Sequence, residues 1–124
     1  MKEDTTCKTP RWRMLKSQLN NLSSEAFAEI MKRERVAIID VRTPKEYKAS
    51  HIPNALNLDY LAEDFLDNLM KLEKDKYYLI YCRSGRRSLR VCTWMRNGGF
   101  DNNKVFNLDK GFKDWIVHFP EAIA

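Results

Sequence analysis

Tyr77-Tyr78-Leu79-Ile80-Tyr81 runs directly into Cys82-Arg83-Ser84-Gly85-Arg86-Arg87-Ser88, and the stretch that follows reaches Asn97 before Gly98-Gly99. The first five residues are a short, continuous apolar run, the pattern of a strand buried on both faces. Arg87 to Asn97 reads as a helix that the glycine pair ends. A strand that passes through a short loop into a helix is one unit of a parallel sheet, because parallel neighbours need a crossover and the crossover is usually helical.

The rest of the chain repeats the unit. Val36-Ala37-Ile38-Ile39-Asp40-Val41 is a second apolar run rich in β-branched residues, again a strand covered on both sides. Before it, Ser23-Ser24-Glu25 offers a helix cap, with Phe27, Ile30 and Met31 at helical spacing. After it, Thr43-Pro44 opens a short helix through Tyr47 and Ala49, and Ile52-Pro53-Asn54 turns the chain into a small strand, Ala55 to Leu58. Leu61, Phe65, Leu69 and Leu72 share a helical face, and Lys104 to Leu108 is another short strand. Phe112, Trp115, Ile116 and Phe119 mark a last helix before Pro120, and a short strand is expected near Asn20 to Leu22. The expected fold is α/β, with three layers: a mostly parallel central sheet of about five strands and helices on both faces. Ligands in such sheets sit beyond the carboxyl ends of the strands, after Asp40 and after Tyr81.

Composition narrows the function classes. The 124 residues suit one domain, with residues 1–20 as an N-terminal extension and 21–124 as the folded unit. Trp12, Met14, Leu15 and Leu19 are the only anchors in that extension. Lysine and arginine total 22 against 17 acids, a net charge of +5, which favours small anions or an acidic partner surface. No basic helix with interleaved aromatics and no zinc-finger spacing points to nucleic acid. No apolar run approaches the roughly 18 residues of a membrane span. The N-terminus Met1-Lys2-Glu3-Asp4 is polar and does not read as a signal peptide, so a cytoplasmic location is expected. The three cysteines, Cys7, Cys82 and Cys92, form neither a CxxC pair nor a cluster with histidine. That argues against a disulfide scaffold and against a metal, and no cofactor is implied.

The chemistry concentrates at Cys82. It sits where a strand ends and a loop feeds a helix N-terminus, whose unpaired amides and macrodipole favour an anion. Arg83, Arg86 and Arg87 add positive charge with no acid in the loop. Each effect favours the thiolate, the nucleophilic form. Gly85 lets the loop curl its amides inward, and Ser84 and Ser88 add hydroxyl donors. The cradle suits a sulfur-centred or an oxygen-centred dianion. The pattern is Cys-x4-Arg; a phosphatase-like Cys-x5-Arg loop would need arginine where Ser88 stands. The shorter loop gives a tighter cradle, better matched to a terminal sulfur than to a phosphate.

Ile38-Ile39-Asp40-Val41-Arg42-Thr43-Pro44-Lys45-Glu46-Tyr47 with His51-Ile52-Pro53-Asn54-Ala55 resembles the N-terminal signature of the rhodanese family. Cys82 to Ser88 resembles that family's active-site loop, with the six-residue sulfurtransferase length spanned by Cys82 to Arg87. Val105-Phe106-Asn107-Leu108 with Gly111-Phe112 and Trp115 is similar to its closing segment. Ser50, Asn54 and Lys110 stand where the family often has glycine. The resemblance implies a single-domain sulfurtransferase. Cys82 would take sulfur from a small anionic donor such as thiosulfate and pass it to cyanide, a thiol or a protein acceptor. The enzyme would be a monomer or weak dimer and would follow ping-pong kinetics. Two other classes stay open: a phosphatase or arsenate reductase on the related fold, and a non-catalytic rhodanese-like binding module.

Individual residues have competing readings. Asp40 and Arg42 suit a structural ion pair, with Glu46 a further partner for Arg42. His51 suits a structural role at its turn over that of a general base. Arg83 and Arg86 are expected to face the donor, while Arg87 is equally a donor ligand or a solvated charge. Cys92 is a resolving thiol or a small core residue beside Leu89 and Met95, and the second is favoured. Trp94 and Trp115 read as packing residues.

Overall fold

The structure, a computed structural model, describes residues 20–124. The expected anchors Trp12, Met14, Leu15 and Leu19, and Cys7, lie outside the described residues. Five parallel strands make one sheet: β1 (Asn20–Leu22), β2 (Val36–Asp40), β3 (Leu56–Asn57), β4 (Tyr77–Tyr81) and β5 (Val105–Leu108). Their spatial order is β1-β5-β4-β2-β3. Among the described residues five α-helices accompany them, α1 (Ser24–Met31), α2 (Pro44–Ala49), α3 (Phe65–Met70), α4 (Arg86–Asn97) and α5 (Gly111–His118), with a short 3-10 helix at Asn102–Lys104.

The unbroken apolar runs follow from burial on both faces. Along β2 and β4 successive side chains alternate between two cores. Ile39, Tyr78 and Ile80 pack with Phe65 and Leu69 of α3 and Val91, Cys92 and Met95 of α4. Ile38, Leu79 and Tyr81 pack with Phe27 of α1 and Phe112 and Trp115 of α5. Phe27 meets Trp115 edge-on, with ring centroids 6.0 Å apart. Ser23 caps α1 by accepting from the Ala26 amide, and Thr43 caps α2 in a full capping box with Glu46.

The strands read as Val36 to Val41 and Lys104 to Leu108 each lose one residue, and two other elements are much shorter than the sequence predicts. Of Ala55 to Leu58 only Leu56–Asn57 pairs, at the sheet edge beside β2. The helical face read from Leu61 to Leu72 is helix only over Phe65–Met70. The Asp59 carboxylate accepts from the Leu61 amide and the Ala62 amide donates to the Asp59 carbonyl, which holds the segment in a turn. Leu61 is left 64% exposed.

Topology locates the site. The chain leaves β2 towards β3 and leaves β4 towards β5, on opposite sides. The neighbouring carboxyl ends of β2 and β4 therefore diverge and open a crevice, the usual ligand position in an open parallel sheet.

Candidate active site

Cys82 is the first residue beyond β4 and is only 2% exposed. The loop after it turns back through Gly85, whose φ is +93°, and α4 begins at Arg86. This turn needs glycine: a Cβ there would lie 2.0 Å from the Asp109 carbonyl oxygen. As a result, three donors converge on Cys82 Sγ. They are the Gly85 amide at 3.1 Å, the Ser88 amide at 3.4 Å and the Ser88 hydroxyl at 3.3 Å. Donors aimed at one sulfur stabilise negative charge on it more than they stabilise a neutral thiol.

The loop is clamped from behind. The Phe112 and Lys113 amides in the first turn of α5 donate to the carbonyls of Cys82 and Arg83, at 2.8 and 3.1 Å. Gly111, at φ +74°, allows that approach, since a Cβ would meet the Arg83 carbonyl oxygen at 2.3 Å. The Asn107 side chain donates to the Gly85 carbonyl at 3.2 Å and to Asn21 Oδ1 at 2.9 Å.

Beside the loop, a buried network ties β2 to β4. Arg42 Nη2 lies 2.7 Å from Asp40 Oδ2, and both side chains are nearly inaccessible. The Arg42 guanidinium also donates to the Ser50 carbonyl at 2.6 Å and lies 4.4 Å from the centre of the Phe112 ring. The Tyr81 hydroxyl donates to Asp40 Oδ2 at 2.7 Å and accepts from the Ile52 amide at 3.0 Å. Burial, and then the Asp40 charge, push the Tyr81 phenol far above its ordinary range. Burial works against the Arg42 charge, but the bond to Asp40 and its charge outweigh it and raise the Arg42 pKa. The network thus stays an ion pair with a neutral phenol.

Cys82 opens into a cavity of about 320 Å³ whose lining includes Arg83, Ser84, Arg87, Glu46 and Leu61. Arg86, expected at the donor beside Arg83, lines a larger cavity beyond Ser84, and Arg87, read equally as a donor ligand or a solvated charge, lines the Cys82 cavity. The cause is the helix start. With α4 beginning at Arg86, one residue earlier than predicted, consecutive side chains diverge by about 100° around the axis. Arg87 also lies 5.5 Å from the centre of the Tyr60 ring.

Glu46 makes no ion pair with Arg42. Its Oε1 accepts instead from the Thr43 hydroxyl at 3.0 Å and the Thr43 amide at 3.2 Å, because the capping box holds it at its own helix. Burial pushes its carboxyl up, but the Thr43 bonds and the charges of Arg42 and Arg87 hold it below the usual range. His51 stacks on Tyr47 with centroids 3.8 Å apart and lies 2.7 Å from the Tyr47 carbonyl through Nδ1, outside the Cys82 cavity. Cys92 is buried in the same apolar cluster as Cys82, and burial pushes its thiol far up, with Cys82 adding to the shift. Trp94 stacks with Tyr60, and Trp115 packs on Phe27 and Phe119. The parts missed from the sequence are the Tyr81 hydroxyl, Asn107 and Leu61. Each sat inside an apolar or strand-like run that carried no sign of its polar or exposed role.

An α/β sheet with a cysteine held by inward-facing amides beyond its central strand is the architecture of the rhodanese-like domain. The profile of that family matches residues 23–118, and the chain belongs to it. It is 33% identical to a sulfurtransferase of Allochromatium vinosum, over 86% of this chain and 96% of that one. It is also 33% identical to the thiosulfate sulfurtransferase GlpE of Coxiella burnetii, over 90% and 97%. A crystal structure of a rhodanese-like domain protein from Staphylococcus aureus superposes with a TM-score of 0.66 at 28% identity, covering 78% of this chain and 91% of that one.

Proposed function

We propose that this protein is a sulfurtransferase that carries sulfane sulfur as a persulfide on Cys82, within a unit spanning residues 21–124. The observation that carries the reading is the convergence of the Gly85 amide, the Ser88 amide and the Ser88 hydroxyl on Cys82 Sγ. The Cys82 thiolate attacks the outer sulfur of a donor such as thiosulfate. The donor S–S bond breaks, sulfite leaves with the bonding electrons, and the persulfide anion remains on Cys82. A nucleophile, whether cyanide, a thiol or a protein thiol, then attacks the outer sulfur, and Cys82 departs as thiolate. No oxidant or reductant is needed, and the two half-reactions make the kinetics ping-pong.

The loop's donors stabilise the sulfur anion at both ends of the cycle, as an oxyanion hole does for oxygen. Arg83 and Arg87 attract and orient the anionic donor in the cavity above the sulfur. Asp40, Arg42 and Tyr81 position the two strand ends, and Gly85 sets the loop. The clamped turn and the Cys-x4-Arg spacing favour a terminal sulfur over a phosphoryl group. The test is thiocyanate production from thiosulfate and cyanide, with an aryl phosphate as a control substrate. The wild type should make thiocyanate and spare the phosphate, and Cys82→Ser should make none while still folding. Thiocyanate from the variant, or phosphate hydrolysis by the wild type, would overturn the reading.

A further inference from the structure

The larger cavity does not have Cys82 in its lining. It measures about 470 Å³ and shares Ser84 with the Cys82 cavity. Lys110 and Lys113 stand along it, both exposed, and neither forms an ion pair among the described residues. Its acids are Asp109 and Asp114, and Asp114 accepts from the Ser24 hydroxyl at 2.8 Å and lies 3.4 Å from His118, while Glu46 in the Cys82 cavity is held by Thr43. On the other side of Ser84, Arg83 and Arg87 flank the sulfur. Two strongly exposed apolar side chains stand at the rims, Leu61 at the Cys82 cavity (64%) and Val117 at the larger one (72%). Cations through the middle and apolar residues at the rims match what an acidic segment with flanking hydrophobic side chains presents.

From this geometry we infer that the two cavities form one trench, and that it docks an acidic polypeptide. The polypeptide lays carboxylates over Lys110 and Lys113 and brings its own thiol to Cys82. The inference rests on the sulfur-transfer reading for the identity of the cargo and names the acceptor class: an acidic protein thiol. A small anion at Cys82 does not span Ser84 to the lysines, whereas a polypeptide does. In the step itself, the acceptor thiolate attacks the outer sulfur of the Cys82 persulfide. The S–S bond breaks, Cys82 leaves as thiolate, and the acceptor holds the persulfide.

The test uses the full chain and two fluorescent six-residue peptides with serine in place of the acceptor thiol, one rich in glutamate and aspartate and one rich in lysine. Binding is read by anisotropy. The acidic peptide should bind at least about tenfold more tightly, and 0.3 M salt should erase most of the difference. Lys110→Glu should cut the preference at least about threefold. Lys110 is exposed at the N-terminus of α5, where a carboxylate is favoured by the helix dipole, so the variant should fold. Its thiosulfate-to-cyanide rate should stay within about twofold of wild type, because Lys110 neither lines the Cys82 cavity nor bonds to the loop. Equal binding of the two peptides, equal binding of a single-stranded oligonucleotide of the same charge, or an unchanged preference in the variant would overturn the docking surface. Charge-dependent binding by a protein that never takes up sulfur would leave the docking surface standing and remove the sulfur-transfer reading instead.

Discussion

Ser88→Ala isolates one donor at the sulfur. The Ser88 hydroxyl is fully buried, and its hydrogen bond goes to Cys82 Sγ at 3.3 Å. The Ser88 amide, 3.4 Å from the same atom, is untouched by the substitution. A hydrogen bond to a charged acceptor contributes about 1.5–3 kcal/mol. Sulfur is a diffuse acceptor and two other donors remain, so the lower end applies. A loss of about 1.4 kcal/mol in stabilising the charged sulfur is a tenfold loss in rate. The expected result is a fall of about tenfold in kcat/KM for thiosulfate-to-cyanide transfer. The hydroxyl points at Sγ and not into the donor cavity, so the loss should appear in kcat with little change in the thiosulfate KM. The fold should lose no more than about 1 kcal/mol by urea titration, since one neutral group goes and alanine suits the helix. A folded variant within twofold of wild-type kcat/KM, or one whose whole deficit lies in KM, would refute the role of the sulfur cradle.

Gly85→Ala forces a side chain into left-handed backbone and against the Asp109 carbonyl, while the Asp109 amide is tied to the Leu22 carbonyl at 2.9 Å. Conformation alone costs about 1–2 kcal/mol, so a total loss above about 3 kcal/mol with abolished transfer is expected; a urea midpoint near wild type would contradict the clamp. Asp40→Asn strips the charge that the buried Arg42 depends on, and a loss of about 3–5 kcal/mol is expected by the same titration. A loss under about 1 kcal/mol would show that the pair is not structural. Glu46 is held below the usual carboxylate range, so its contribution is present above its unfolded value, about 4.3, and fades as pH falls through the lower folded value. The stability gap between wild type and Glu46→Gln should therefore be open at pH 7 and shrink below about pH 4. A gap constant between the two would contradict that origin.

What was legible in the sequence was whatever is written locally. The runs Val36–Val41 and Tyr77–Tyr81 have no polar alternation because helices cover both faces of the sheet, and so they declared a parallel fold. Cys82 with three arginines and a glycine declared an anion-binding turn. Thr43-Pro44 and Ser23 announced helix starts through capping chemistry. What was not legible depends on distant packing or on a one-residue boundary. Leu61, Phe65, Leu69 and Leu72 keep helical spacing, yet the turn at Asp59 removes Leu61 from the helix and leaves it at the mouth of the site. A helix start one residue earlier than predicted put both Arg86 and Arg87 on the helix, about 100° apart, and Arg87, whose reading was open, lines the Cys82 cavity while Arg86 does not. The Tyr81 hydroxyl looked like one more apolar strand residue until Asp40 and Ile52, far along the chain, proved to be its partners.

The most direct test of the central claim is the intact mass of the protein after brief incubation with thiosulfate, before and after a reductant. The account predicts a gain of one sulfur atom that the reductant removes and that Cys82→Ser never shows. An unchanged mass with thiosulfate and again with mercaptopyruvate, or the same gain in Cys82→Ser, would contradict it.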